Sequence, residues 1–123
     1  MPYAPISSAN NSLQDTIDAI KARNGGGDWR EVMTATLRHR SVLLHLKPKT
    51  QPIVHQHPNG EEIFVIHSGK AEFYFGGKLQ LATPGSVLYA PAGQKHTFMV
   101  SGDEPLLMMC FLSVNDPDDT VED

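Results

Sequence analysis

The chain of 123 residues has a single cysteine, no basic-then-apolar start, no apolar run of membrane-spanning length and no excess of positive charge. Each absence removes a class of protein. A lone Cys110 leaves no disulfide framework, so a domain of this size must rest on its apolar core, which implies a reducing compartment or indifference to redox state. Within Leu106-Leu107-Met108-Met109-Cys110-Phe111-Leu112 that cysteine reads as a small buried hydrophobe rather than a nucleophile. Met1-Pro2-Tyr3-Ala4-Pro5-Ile6 lacks the features of a secretion signal, so the expected location is cytoplasmic, with no membrane partner. The glycosylation match at Asn10-Asn11-Ser12 then reads as a polar helix start. Of the fourteen acids behind the net charge of -4, Asp116, Asp118, Asp119, Glu122 and Asp123 stand at the end. The remaining nine face ten Lys and Arg, a nearly neutral body that argues against a nucleic-acid surface. Phosphate cradle, nucleotide fingerprint, nucleophile elbow and paired-cysteine redox motif are all missing.

What is present divides the chain into residues 1–28, a tail with a short amphipathic helix; 29–114, a β domain; and 115–123, an acidic tail expected to be solvated and mobile. Ser12-Leu13-Gln14-Asp15 forms a cap, and Leu13, Ile17 and Ile20 make one helical stripe that ends at Asn24-Gly25-Gly26-Gly27. No Lys-Ser or Lys-Thr follows the glycines, so they read as a hinge. From Trp29 the period becomes alternating, with Val32-Met33-Thr34-Ala35-Thr36-Leu37 and Ser41-Val42-Leu43-Leu44-His45-Leu46 rich in strand formers. Gly and Pro punctuate the chain at short intervals to about Val114, the pattern of an all-β sandwich or barrel rather than a parallel α/β sheet.

The chemistry gathers in His55-Gln56-His57-Pro58-Asn59-Gly60-Glu61-Glu62. On an extended chain His55 and His57 project from one side, so two imidazoles converge without long-range folding. Pro58-Asn59-Gly60 reverses the chain and carries a carboxylate toward the same place. Glu61 and Glu62 face opposite sides, and alternation does not choose between them, because Phe64 and Ile66 accompany Glu62 while Ile63, Val65 and His67 accompany Glu61. A third imidazole, His96, closes the stretch Gly85 to His96.

These two stretches resemble the cupin family. His55, His57, Glu62 and Gly69 keep the spacing of its first motif, and Gly85, Pro91-Ala92-Gly93 and His96 that of its second. Val100 stands where the family often has Asn, and Lys49 where a glycine often opens the first motif. The resemblance implies a double-stranded β-helix, the cupin jelly-roll barrel, with a short N-terminal helix. It also implies that Glu62 is the ligand and that His55, His57, Glu62 and His96 hold one divalent transition metal. Three imidazoles and a carboxylate suit Fe, Mn, Ni, Co, Cu or Zn.

An open metal in a cavity lined by Phe64, Ile66, Phe98 and parts of 106–112 implies a metalloenzyme acting on a small oxygen-bearing substrate. Dioxygenase-like, isomerase, decarboxylase and lyase chemistry all stay open. The alternative is a non-catalytic cupin that binds or senses a sugar or organic acid. Tyr74, Tyr89 and His45 are the candidate general acids or bases, and no single catalytic residue is assigned. His39, between two arginines, is expected in solvent, and His67 faces away if Glu62 faces in. Small cupins commonly pair through strand edges, so a homodimer is expected. Light scattering should give twice the 13.5 kDa chain mass, and a mass of one chain contradicts the expectation.

Overall fold

The computed structural model describes residues 12–122, so what is expected of residues 1–11 and Asp123 falls outside the described residues. The helix α1 (Leu13–Asn24) begins where the Ser12 hydroxyl accepts from the Asp15 N–H at 3.0 Å and ends at Gly25, whose φ of 79° lets its N–H return to the Lys21 carbonyl. Among the described residues ten strands follow: β1 (Trp29–Ala35), β2 (Arg40–Leu46), β3 (His55–Gln56), β4 (Glu62–Ser68), β5 (Lys70–Phe75), β6 (Lys78–Ala82), β7 (Val87–Ala90), β8 (His96–Ser101), β9 (Leu106–Leu112) and β10 (Val121–Glu122). They form two five-stranded antiparallel sheets, in the orders β1-β2-β9-β4-β7 and β10-β3-β8-β5-β6. Two facing antiparallel sheets with crossing connections are the jelly roll that the strand pattern predicts.

Alternation decides what each sheet buries. On β4, Phe64 and Ile66 point inward; on β9, Leu106, Met108 and Cys110; on β5 and β8, Ala71, Phe73, Phe75, Phe98 and Val100. In the first sheet β2 and β9 are apolar on both faces, because α1 covers the outer one. Ile17 and Ile20 pack on Met33, Leu43, Leu107 and Met109, each isoleucine contributing roughly 2 kcal/mol. Leu13, the first member of the expected stripe, lies 54% exposed beyond this contact.

Two sequence expectations are corrected here. The glycine run is a pinned corner rather than a hinge. The Trp29 indole N–H donates to the Gly25 carbonyl, His45 Nδ1–H to Gly27 O at 2.7 Å, and the Lys47 N–H to Asp28 Oδ1. The acidic C-terminus is not a free tail either. Asp116 caps a 3-10 turn at Pro117–Asp119, and β10 pairs with β3. Asp119 is buried, where it accepts the Asn59 N–H at 3.0 Å and Asn59 Nδ2 at 2.8 Å. A count of charges treats these carboxylates as solvated, whereas two of them act as hydrogen-bond acceptors for the backbone.

Lys49, at the position of the expected family glycine, has a φ of 69°, held by its N–H to the Val100 carbonyl. Among the described residues no helix is long and apolar enough to cross a membrane.

The turn from β4 to β5 depends on Gly69, whose φ is 81° and on which a Cβ would meet the Pro105 carbonyl oxygen and Leu106 Cα. Gly69→Ala should therefore lower unfolding stability by about 3 kcal/mol or more. Gly77→Ala, at φ 86° in open space, should cost only about 1 kcal/mol. Urea unfolding of the two variants orders them, and equal losses would mean that the corner is not a close approach.

Candidate metal centre

His55 opens β3 and pairs directly with His96, the first residue of β8. Glu62 opens β4 in the opposite sheet, and His57 lies in the loop between β3 and β4. The ligand atoms of all four lie within 4.8 Å of one another. The site thus draws its groups from both sheets.

Each imidazole is oriented through its far nitrogen. Nδ1 of His55 lies 2.9 Å from Ile53 O, Nδ1 of His96 3.1 Å from Gln94 O, and Nδ1 of His57 3.3 Å from Asp119 O and 3.2 Å from Thr120 Oγ1. A carbonyl only accepts, so Nδ1 carries the hydrogen, and in the neutral ring Nε2 presents a lone pair. His57 Nε2 is 3.1 Å and His96 Nε2 3.2 Å from the same Glu62 Oε1. His96 Nε2 is buried and sits out of line for a hydrogen bond, with no other partner among the described residues.

Three lone pairs and a carboxylate that face one another need a cation between them, either a proton or a metal, so the donor set fits a divalent ion. Burial works against charge on His57, but Glu62, with Asp119 behind, outweighs it and holds that imidazole above its ordinary pKa. Burial likewise opposes the Glu62 carboxylate, yet His57 and then His96 hold it at about 2. At His55 burial prevails, helped by the charges of His96 and His57, and its pKa falls.

The cluster lies in a cavity of about 380 Å³. Val42, Leu44, Phe64, Phe98, Cys110 and Leu112 form an apolar wall, and Arg30, Arg40, Thr120 and Glu122 are the polar groups beside the cluster. The expected Phe64 and Phe98 are in place, while Ile66 sits deeper in the core and does not line the cavity. Burial raises Cys110 well above the ordinary thiol pKa, so it is a wall group as expected and not a nucleophile.

Phase answers the question that alternation left open. Glu62 falls in step with the inward Phe64, and Glu61 points out, where it accepts the Tyr89 hydroxyl at 2.9 Å. None of the three acid or base candidates lines the cavity. Tyr89 is 51% exposed, Tyr74 alternates with the inward Phe73 and Phe75, and His45 stacks on Trp29 at 5.2 Å on the outer face. His39 is exposed and bonded to Thr34 and Thr36, and His67 lies outside the cavity lining.

Sequence reasoning missed Arg30, Arg40, Thr120 and Glu122. The first two were accessible in principle, since each stands two residues before an inward valine, Val32 and Val42.

The family described as a cupin domain matches residues 42–112, more than half of the chain. Among solved structures, an uncharacterized conserved protein with a double-stranded β-helix domain from Klebsiella pneumoniae is 27% identical, with a TM-score of 0.73, over 89% of this chain and 87% of that one. KdgF from Halomonas sp. is 20% identical, with a TM-score of 0.66, over 76% of this chain and 84% of its own. The DMSP lyase DddQ from Ruegeria pomeroyi is 21% identical, with a TM-score of 0.66, over 78% of this chain and 51% of its own. No curated protein matches.

The C-terminal segment and the histidine loop are tied through Asp119. Asp119→Ala should leave the Asn59 N–H without its acceptor and cost about 1–3 kcal/mol in urea unfolding. An unchanged midpoint would show that the segment contributes nothing to the fold.

Proposed function

The chain belongs to the cupin domain family, and on that premise we propose that it is a metalloenzyme for a small oxygen-bearing substrate, with one divalent transition metal held by His55, His57, Glu62 and His96. The observation that carries the reading is the convergence of the three Nε2 atoms and Glu62 Oε1 in a cavity large enough for a small molecule. KdgF and the DMSP lyase share the fold at 20% and 21% identity, so the reaction is argued from the site and not from them.

A bound divalent metal supplies Lewis acidity toward carbonyl and enol oxygens. The chain's own residues do the rest. Glu62, with its pKa near 2, remains a carboxylate at neutral pH and supplies the one full negative charge among the four. The carbonyls of Ile53, Gln94 and Asp119 hold the three rings in the tautomer that points Nε2 inward. Val42, Phe64, Phe98 and Leu112 exclude water from one side of the substrate, which strengthens every polar contact at the other. The Thr120 hydroxyl lies 3.2 Å from His57 Nδ1 and at the cavity wall, where it offers a neutral hydrogen-bonding side chain. With Tyr74, Tyr89 and His45 outside the cavity, proton transfer falls to groups at the site itself or to the substrate.

Elemental analysis of protein purified without a metal-affinity tag, before and after anaerobic reconstitution, should give close to one transition metal per chain. His96→Ala should lose that metal. Thr120→Val, which keeps the ligands and removes one Nδ1 partner, should weaken metal binding by roughly tenfold in a chelator competition. Full occupancy in the His96→Ala protein would overturn the ligand assignment, and no metal under either condition would favour the non-catalytic alternative.

A further inference from the structure

We propose that Arg30 and Arg40 form an anion seat in the cavity of the metal centre, so that the small molecule taken there carries a carboxylate at the end remote from its metal-binding oxygens. This inference rests on the metalloenzyme reading above and specifies its substrate class.

Both arginines line the cavity. Arg30 is in phase with the inward Val32 on β1, and Arg40 with Val42 and Leu44 on β2, so two cations continue stripes that are otherwise apolar. Arg40 is opposite Leu112, and Leu112 is opposite Glu62, which sets Arg40 and Glu62 two strands apart, roughly 10 Å between Cα atoms. On β1 and β2, Arg30 stands opposite Leu44 and Arg40 opposite Ala35, so the two cations flank Val32 and Val42, and Leu112 lies between Arg40 and Glu62.

Among the described residues neither guanidinium has a hydrogen bond or ion pair, and Arg40 Nε is buried with no partner. Burial, and then the charge of Arg40, lowers the pKa of Arg30, so each cation lies in the field of the other. Arg30 is exposed and Arg40 partly buried, so both remain open to an anion that would take up the guanidinium donors.

The guanidinium fork matches a carboxylate in two parallel hydrogen bonds. A doubly charged phosphate fits less well, because Glu62 and Glu122 share the cavity. Val42, Leu44, Cys110 and Leu112 line the same cavity and suit a short hydrocarbon spacer. The ligand thus has an oxygen-bearing head for the metal, a few carbons against the wall and a carboxylate on the arginines.

The test is calorimetric titration of the full-length metal-loaded protein with 2-oxoglutarate and with 2-oxopentanoate. These probes share the head and the spacer, and only the first ends in a carboxylate. The wild type should bind 2-oxoglutarate at least roughly tenfold more tightly. Arg30→Gln and Arg40→Gln should each narrow that ratio, and the double variant should abolish it while keeping its metal content, its melting temperature and its affinity for 2-oxopentanoate. Equal affinities in the wild type, a ratio that survives in the double variant, or no binding of 2-oxoglutarate would each overturn the seat. Metal content is read separately in the same samples. Should the chain take no metal, the metalloenzyme reading falls and the same ratio in the metal-free protein decides on the arginines alone.

Discussion

Four acceptors brought together at the junction of two sheets are the constraint around which this protein is built. His55 and His96 pair across β3 and β8, Glu62 enters from β4 in the facing sheet, and His57 is held by the segment that carries Asp119 and Thr120. Lone pairs and a carboxylate repel unless a cation lies among them, so the arrangement persists only because backbone carbonyls fix each ring from behind and the barrel fixes the strands. The two buried histidines and the carboxylate would be a liability in any core that did not put that cation to use.

The rest of the fold makes that site dry and one-sided. The phenylalanines at 64, 73, 75 and 98 stack along the interior, with Phe73 and Phe98 centred 5.0 Å apart. Of these, Phe64 and Phe98 also form wall of the cavity at the candidate metal centre. Helix α1 closes the outer face of the first sheet, which frees β2 and β9 to be apolar on both faces. That cover explains why β9 reads as an unbroken apolar run even though its partners are antiparallel.

The cavity holds groups of both signs. Glu62 and the imidazoles share it with Arg30, Arg40 and an apolar wall. Charges of both signs around one cavity orient a polar molecule before any chemistry occurs, and the proposed function lies in that match rather than in a single acid or base.

Local sequence determined a good deal by itself. Period-2 alternation from Trp29 onward, the cap at Ser12, the glycine at 25 and the apolar run of β9 were all legible, because each depends on residues within a turn or a strand of one another. The pair His55 and His57 was legible for the same reason, and the family spacing pointed to Glu62 and His96. Only the tertiary structure decided which way Glu61 and Glu62 face, since both phases of that strand are apolar and the choice is made by pairing with β9 and β7. It alone placed His45, Tyr74 and Tyr89 on outer faces. It alone turned the acidic C-terminus into a bound strand behind His57, a contact that spans about half the chain and leaves no local pattern. Strand phase is short-range physics; the neighbour a strand acquires across the barrel is not.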